Sequence, residues 1–177
     1  RGAGLRDEIH LGAAGKIISA YDIARALAMG ADWCNSGRGF MFAIGCIQAQ
    51  ACHTNKCPVG IATQDPVRQR ALEVGDKSDR VARFHRNTMH ALGEIAGAAG
   101  LTDPSDFMPY HFMFRQTTGF RDGNEVYPYL PRGFLLAEEE IPGLEDWYDR
   151  WERASADSFA PPEIPFGPFA SRRKRRA

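Results

Sequence analysis

Cys46, Cys52 and Cys57 stand within twelve residues of one another, in the stretch Cys46-Ile-Gln-Ala-Gln-Ala-Cys52-His-Thr-Asn-Lys-Cys57-Pro-Val-Gly60, and the chain has one other cysteine, Cys34. Thiolates are soft donors that hold iron–sulfur clusters or zinc. A four-iron cubane normally takes four cysteines, and a cluster lacking one iron takes three, the number crowded here. Gaps of five and four residues are not the CxxC spacing of zinc ribbons, and they exceed the CxxCxxC run of bacterial ferredoxins. Pro58 would stiffen the exit from such a loop, whose backbone amides could bond the sulfides. Two rivals remain at this point. Zinc could be held by the three cysteines and His53, although adjacent Cys52 and His53 converge awkwardly on one ion. The thiols could also be free. Cys34 falls on an expected strand and reads as a small buried hydrophobe. Three crowded cysteines plus one isolated do not make a disulfide framework, so a reducing setting is expected.

The elements before this loop must position it. Residues 8–13 read as a short strand, Ala13-Ala14-Gly15-Lys16 as a turn, and residues 19–29 as a helix with Ser19 at its N-cap and Asp22 completing a capping box. Gly30 ends that helix as a C′ residue. Residues 31–35 read as a second strand, Ser36-Gly37-Arg38-Gly39 as a second turn, and residues 40–50 as an apolar helix whose end releases Cys46. This β–turn–α–β–turn–α order builds parallel sheets, with ligands at the carboxyl ends of the strands. Both glycine turns would then lie side by side. Their amides, with Lys16 and Arg38, form a candidate anion site of the kind that takes a phosphate. Glycine turns also close many βα units for structural reasons alone, and both cations read equally well as solvated charges.

The rest of the chain is less informative. Residues 78–99 carry Val81, Phe84, Thr88, Leu92, Ile95 and Ala99 on one stripe, with Arg80, Arg83 and Arg86 off it, and read as an amphipathic packing helix. His85, His90 and His111 read as solvated or core-edge residues. Leu101–Phe107 reads as a cap and a short helix. Beyond residue 115 the chain reads as an extended tail with proline runs at 127–131 and 161–168, one helix over 144–153 with Trp147 and Trp151 on one side, and a basic end, Arg172–Arg176. The 177 residues carry a formal net charge of zero, with 44% hydrophobic and 25% charged residues. These numbers suit one ordinary domain and give no global pull toward nucleic acid. No apolar run is long enough to span a bilayer. The opening at Arg1 reads as the interior of a longer protein.

The run Gly45–Asp65 closely resembles the three-iron, four-sulfur segment of glutamate synthases, Gly-Cys-x5-Cys-His-x-Asn-x-Cys-x-x-Gly-x-Ala-Thr-Gln. Ala14–Asp22 and Ala28–Phe40 look like the last two βα units of that family's FMN-binding barrel, and Gly100–Phe107 is similar to a segment on the carboxyl side of the family's cluster. The resemblance covers roughly residues 3–115 and is nearest to the short FMN-binding members of the family. It implies an α/β fold: the carboxyl-terminal part of an aldolase-type (β/α)8 TIM barrel with the iron–sulfur loop over 1–115, then an extended Pro-rich and basic tail over 116–177. It implies that Cys46, Cys52 and Cys57 ligate a 3Fe-4S cluster, that Gly15 and Lys16 meet the FMN phosphate, and that Gly37 and Arg38 are their partners on the eighth strand. Lys16 departs from the family, which carries a second glycine there, so phosphate binding would pass partly to a side chain. The first six barrel strands would lie outside this chain, with the substrate-binding residues, so no catalytic residue is assigned.

The implied chemistry is an oxidoreductase electron relay. Electrons pass from a ferredoxin or a reductase subunit through the cluster to FMN, and 2-iminoglutarate, made from 2-oxoglutarate and ammonia, is reduced to L-glutamate. The residues here are expected to be inactive alone and poorly folded without the neighbouring strands. A cytoplasmic setting is expected, with room for a membrane anchor upstream of Arg1. The alternatives are a non-catalytic iron–sulfur electron-transfer module and a zinc-stabilised binding domain.

Overall fold

The structure, a computed structural model, describes residues 1–158. It forms two compact units, one of His10–Tyr129 and one of Arg1–Ile9 with the described residues from Leu130 to Ser158. The proline run at 161–168 and the basic run at 172–176 lie outside the described residues.

The larger unit is mixed α and β. Strand β1 (Gly12–Ala14) pairs in parallel with β2 (Trp33–Asn35), and helix α1 (Ala20–Ala28) connects them. The first strand is shorter than the 8–13 expected. Leu5–Glu8 is a 3-10 turn entered through left-handed Gly4. Pairing starts only at Leu11, whose amide donates to the Asp32 carboxylate at 2.7 Å and whose carbonyl accepts from the Asp32 and Trp33 amides at 2.8 and 3.4 Å. The three-residue partner strand then limits its length.

α1 forms where expected. Ser19 and Asp22 exchange side-chain and backbone hydrogen bonds as a capping box. At the other end Gly30 takes φ 102°. Its amide donates to the Leu27 carbonyl at 2.8 Å, and the Ala31 amide donates to the Ala26 carbonyl at 3.1 Å. This is a Schellman stop, which needs the left-handed conformation that glycine adopts without a Cβ penalty. The Tyr129 hydroxyl donates to the Ala28 carbonyl at 2.8 Å, meeting another acceptor at that helix end.

Helix α2 (Gly37–Ala43) is followed by a long loop, a single turn α3 (Pro66–Gln69) and the long helix α4 (Val74–Ala98). α4 begins four residues before the expected Ser78. The Glu73 carboxylate caps it by accepting from the Gly75 and Asp76 amides at 3.1 and 2.5 Å. Its stripe packs as the periodicity indicates. Leu92 and Ala96 are buried, and Val81, Phe84, Thr88, Ile95 and Ala99 are half-buried. Ala20, Ala24 and Ala28 of α1 meet Leu92 and Ala96, and Phe107 and Phe112 close the core. The alanines leave no bulk between the two helices, so large apolar groups come from the segment after α4.

Chain past residue 115 is more regular than the extended tail expected. Met113–Gln116 (β3) and Gly119–Asp122 (β4) pair antiparallel, with Gly119 left-handed at the turn. Asp122 then caps the single turn α5 (Gly123–Val126). A Cβ at Gly123 would enter the Pro109 carbonyl. Glycine therefore permits this close approach, which composition does not reveal. In the smaller unit, Phe134 and Tyr148 are buried and stack edge-on at 5.4 Å. Tyr148 lies on helix α6 (Glu145–Glu152), whose Trp147 and Trp151 are both partly exposed.

Phe107 is 2% exposed, whereas Phe120 is 69% exposed. In the intact protein Phe107→Ala should therefore cost about 3–5 kcal/mol, and Phe120→Ala less than about 0.5 kcal/mol. Denaturant unfolding compares the two, and equal losses would contradict this core.

Candidate functional site

The parallel register sets Ala14 beside Asn35. Gly15-Lys16 and Ser36-Gly37-Arg38 leave these two residues at the same end of the strand pair. The two turns are tied by Ser36, whose hydroxyl donates to the Ile17 carbonyl at 2.8 Å. Ser36 belonged to the expected turn, but nothing local in the sequence identified this bond across 19 residues. Gly15, Lys16, Gly37 and Arg38 are all exposed, and the positions where Cβ atoms would stand on Gly15 and Gly37 have no neighbour within 4 Å. Lys16 takes φ 57°, a left-handed conformation in which glycine would carry no strain. The backbone here thus keeps the shape of a two-glycine turn while presenting a cationic side chain.

The anion-binding capacity of the two helix starts is unequal. At α1 the Asp22 carboxylate accepts from the Ile18 and Ser19 amides at 3.2 and 2.9 Å and from the Ser19 hydroxyl at 2.9 Å. Those donors are taken, and a negative charge already stands there. The Ser19 amide first, then its hydroxyl, the Ile18 amide and Arg25 hold the Asp22 carboxyl below its usual range, against a smaller effect of burial. At α2 no side chain caps the first turn. The two adjacent helix starts of the candidate anion site thus differ in the donors they leave free. An anion at this edge would meet the α2 turn, the Gly15-Lys16 peptide units and the two cations, with α1 closed to it by its own aspartate.

α2 also delivers the first thiol. The expected helix over 40–50 ends at Ala43, because Gly45 takes φ 103° and closes a second Schellman stop. The Gly45 amide donates to the Phe42 carbonyl and the Cys46 amide to the Met41 carbonyl, each at 2.9 Å. Cys46 is thereby fixed to the helix end by its own backbone. Beyond it Gln48, Gln50 and Asn55 all take left-handed φ, and Cys52 opens a short 3-10 turn.

The end of the loop is fastened by residues to which the sequence alone assigned no role. The buried Thr63 donates its hydroxyl to the Asn55 carbonyl at 2.7 Å, and the Asn55 side chain accepts from the Gln64 amide at 2.6 Å. Gly60 is left-handed, and a Cβ there would strike the Arg68 carbonyl. Cys57 sits inside this fold-back and is buried. The Ala62 amide foremost, then those of Val59, Ile61 and Gly60, pull its thiol below the usual range, outweighing the opposing effect of burial. A concave row of amides favours an anionic sulfur.

Cys46 is half-buried and Cys52 exposed. Among the described residues no three His, Cys, Asp or Glu side chains are drawn into a set that could hold a metal ion. By donor type the three thiols are of the kind that holds an iron–sulfur cluster, and among them Cys57 alone sits in an amide cradle. His53 is exposed. Cys34 lies apart on β2, half-buried, and burial pushes its thiol up. It lines an apolar cavity with Phe40, Phe84 and Met89, in keeping with a packing role.

Residues 1–102 match the conserved region in glutamate synthase. The chain is 44% identical over 116 residues to the glutamate synthase large subunit-like protein YerD of Bacillus subtilis, an alignment covering 66% of this chain and 22% of that protein. It is 39% identical over 101 residues to the archaeal glutamate synthase [NADPH] of Methanocaldococcus jannaschii, covering 57% of this chain and 20% of the relative. Over 67 residues it is 48% identical to ferredoxin-dependent glutamate synthase 2 of Synechocystis, covering 37% of this chain and 4% of that protein. The aligned part thus spans about a fifth or less of the length of these relatives.

The capping box gives a pH-dependent prediction. A carboxylate held below the 3.8 of an unperturbed aspartate contributes stability that is fully present above that value and is lost as pH falls through the lowered one. Asp22→Asn should cost about 1 kcal/mol at pH 7. The gap between wild type and variant in thermal unfolding should narrow as the solution is acidified below 3.8. A gap that persists unchanged into strong acid would contradict the assigned hydrogen bonds.

Proposed function

Because the chain belongs to the glutamate synthase family, we propose that it is the carboxyl-terminal part of an FMN-binding (β/α)8 barrel and carries both the flavin phosphate site and a 3Fe-4S site. In this reading it is part of an oxidoreductase that forms L-glutamate from 2-oxoglutarate and ammonia by way of 2-iminoglutarate, with a ferredoxin or a reductase subunit as electron donor. The observation that carries it is the continuity of the anion turn with the thiol loop. Gly37 begins α2, and Cys46 is locked to that helix's end.

When bound, the cluster and FMN would supply the one-electron and hydride chemistry. The residues of this chain hold and orient. The open amides at Gly37 and Arg38 and the peptide units of Gly15 and Lys16 bind phosphate oxygens, and the Arg38 and Lys16 side chains offset its charge. Asp22 keeps the anion off the α1 end by occupying it. Cys46, Cys52 and Cys57 donate the thiolates, and the Cys57 amide cradle favours the deprotonated sulfur before any metal arrives. The amides of Val59, Gly60, Ile61 and Ala62 turned toward Cys57 are donors of the kind that hydrogen-bond cluster sulfur. The outer edge of β1, unpaired among the described residues, fits a further strand of a barrel, since an open edge is a row of unpaired N–H and C=O groups.

Anaerobically purified intact protein should contain iron and acid-labile sulfide together with releasable FMN. Cys46→Ser, Cys52→Ser and Cys57→Ser should each lose the iron. Arg38→Gln should weaken FMN on the order of tenfold, because hydrogen bonds to charged groups contribute roughly 1.5–3 kcal/mol. Stoichiometric zinc in place of iron, or iron retained in all three variants, would overturn the assignment.

A further inference from the structure

Two features have no part in the function proposed above: the exposed tryptophans of α6 and the basic run Arg172–Arg176. Residues 138–152 hold seven carboxylates against one guanidinium, that of Arg150. Three form the run Glu138–Glu140, the other four lie on α6, and all seven residues are exposed. Arg172-Arg-Lys-Arg-Arg176 sets five cations in five residues against them. The formal net charge of zero therefore conceals two opposite poles near the carboxyl end of the chain.

One side of α6 fastens it to its unit. Tyr148 packs edge-on against Phe134, and its hydroxyl donates to the Phe134 carbonyl at 3.3 Å. The same hydroxyl accepts from the Ile141 amide at 3.0 Å, which brings the end of the Glu138–Glu140 run against the helix. Trp147 and Trp151, four residues apart and so neighbours on the helix surface, stay 44% and 43% exposed. Indole faces attract guanidinium groups, and this surface already holds one: the Arg150 guanidinium carbon lies 5.8 Å from the centroid of the Trp147 ring. A helix of eight residues is about 12 Å long, little more than the screening length of about 8 Å at physiological ionic strength. A cation seated on the tryptophans therefore still feels the carboxylates around the same helix.

We propose that the tryptophan face of α6 is the docking surface for the chain's own basic run, Arg172–Arg176, with the nearby carboxylates supplying the attraction and the indole rings the seats. The run has the complementary charge, and four of its five residues are arginine, the cation that stacks on aromatic faces. Fourteen residues lead from Ser158 to Arg172, a reach of up to about 46–50 Å, several times the length of α6. A tethered segment meets its surface at an effective concentration on the order of millimolar, an advantage that a separate basic partner lacks. The docking is independent of the FMN and cluster assignments.

Hydroxyl-radical footprinting of the intact protein, read peptide by peptide by mass spectrometry, compares wild type with a variant in which Arg172, Arg173, Lys174, Arg175 and Arg176 are all replaced by serine. Oxidation of Trp147 and Trp151 should rise about threefold in the variant, the ratio that one exposed cation–π contact corresponds to. Trp33, on β2, should be unchanged. Should the variant fail to fold, wild type alone decides. Lys174 carries the one amine of the run, and a water-soluble carbodiimide joins it, with loss of water, to a carboxylate in direct contact. Amide cross-links should run from Lys174 into residues 138–152, and their yield should fall severalfold in about 1 M salt, where the screening length is about 3 Å. Equal tryptophan oxidation in the two proteins, or no cross-link into residues 138–152 where the variant does not fold, would overturn the docking. Protection that rises with protein concentration would overturn it too, by placing the run on a second copy. So would a run shielded from modification only when phosphatidylserine vesicles or single-stranded DNA are added, which assigns it to an external polyanion.

Discussion

Three residue pairs, Gly12 with Trp33, Ala13 with Cys34 and Ala14 with Asn35, hold β1 and β2 in parallel register, and every candidate functional group stands downstream of that alignment. A shift of one residue would turn each strand's side chains to the opposite face. It would also carry one glycine turn away from the other and strain the bond from Ser36 to the Ile17 carbonyl. The pairing is short, and its support comes from α1 packed through its alanines on α4. The core is thus a clamp on the connection between the two strands, and its packing and the site's geometry are one problem.

Among the described residues three helices end in the same manner, at Gly30, Gly45 and Gly100, each with φ of 77° or more. At Gly45 the device acquires a functional consequence. The residue after a Schellman glycine donates its amide back into the helix, and here that residue is Cys46. The thiol inherits the position of α2, which in turn begins at the second glycine turn. At the far side of the loop Asn55, Gly60 and Thr63 do for Cys57 what the helix stop does for Cys46. Cys52 lies between these two fixed points on the more exposed stretch, so it is the thiol whose position the described fold constrains least.

Much of this was legible in the sequence. The strand–turn–helix order, the Ser19 and Asp22 capping box, the C′ role of Gly30 and the apolar stripe of α4 follow from periodicity and local hydrogen-bonding rules. The thiol motif by itself pointed to the glutamate synthase family. The early end of α2 was legible in principle, since Gly45 carries the same signal as Gly30, but an apolar run continuing to Ile47 outweighed it. The hairpin over 113–122 was hidden because its strands are four residues each and lie beside proline-rich chain. Contacts between distant residues were not legible at all: the bridge from Ser36 and the close approach of Gly123 to Pro109. The occupation of the α1 start by Asp22 was half visible. The capping box was read, but its consequence, that the carboxylate excludes a second anion, emerges only when both helix starts are seen to share one edge.

The aligned turns leave α2 open to a phosphate while α1 is closed by its own aspartate, and on this asymmetry the proposed cofactor arrangement depends. Amide-resolved hydrogen exchange of the intact protein, with and without FMN, tests it most directly. FMN should slow exchange at Gly15, Lys16, Gly37, Arg38 and Gly39 and leave Ile18 and Ser19 unchanged. Protection at Ile18 and Ser19 without protection at Gly37 and Arg38, or no change at either turn, would contradict the account.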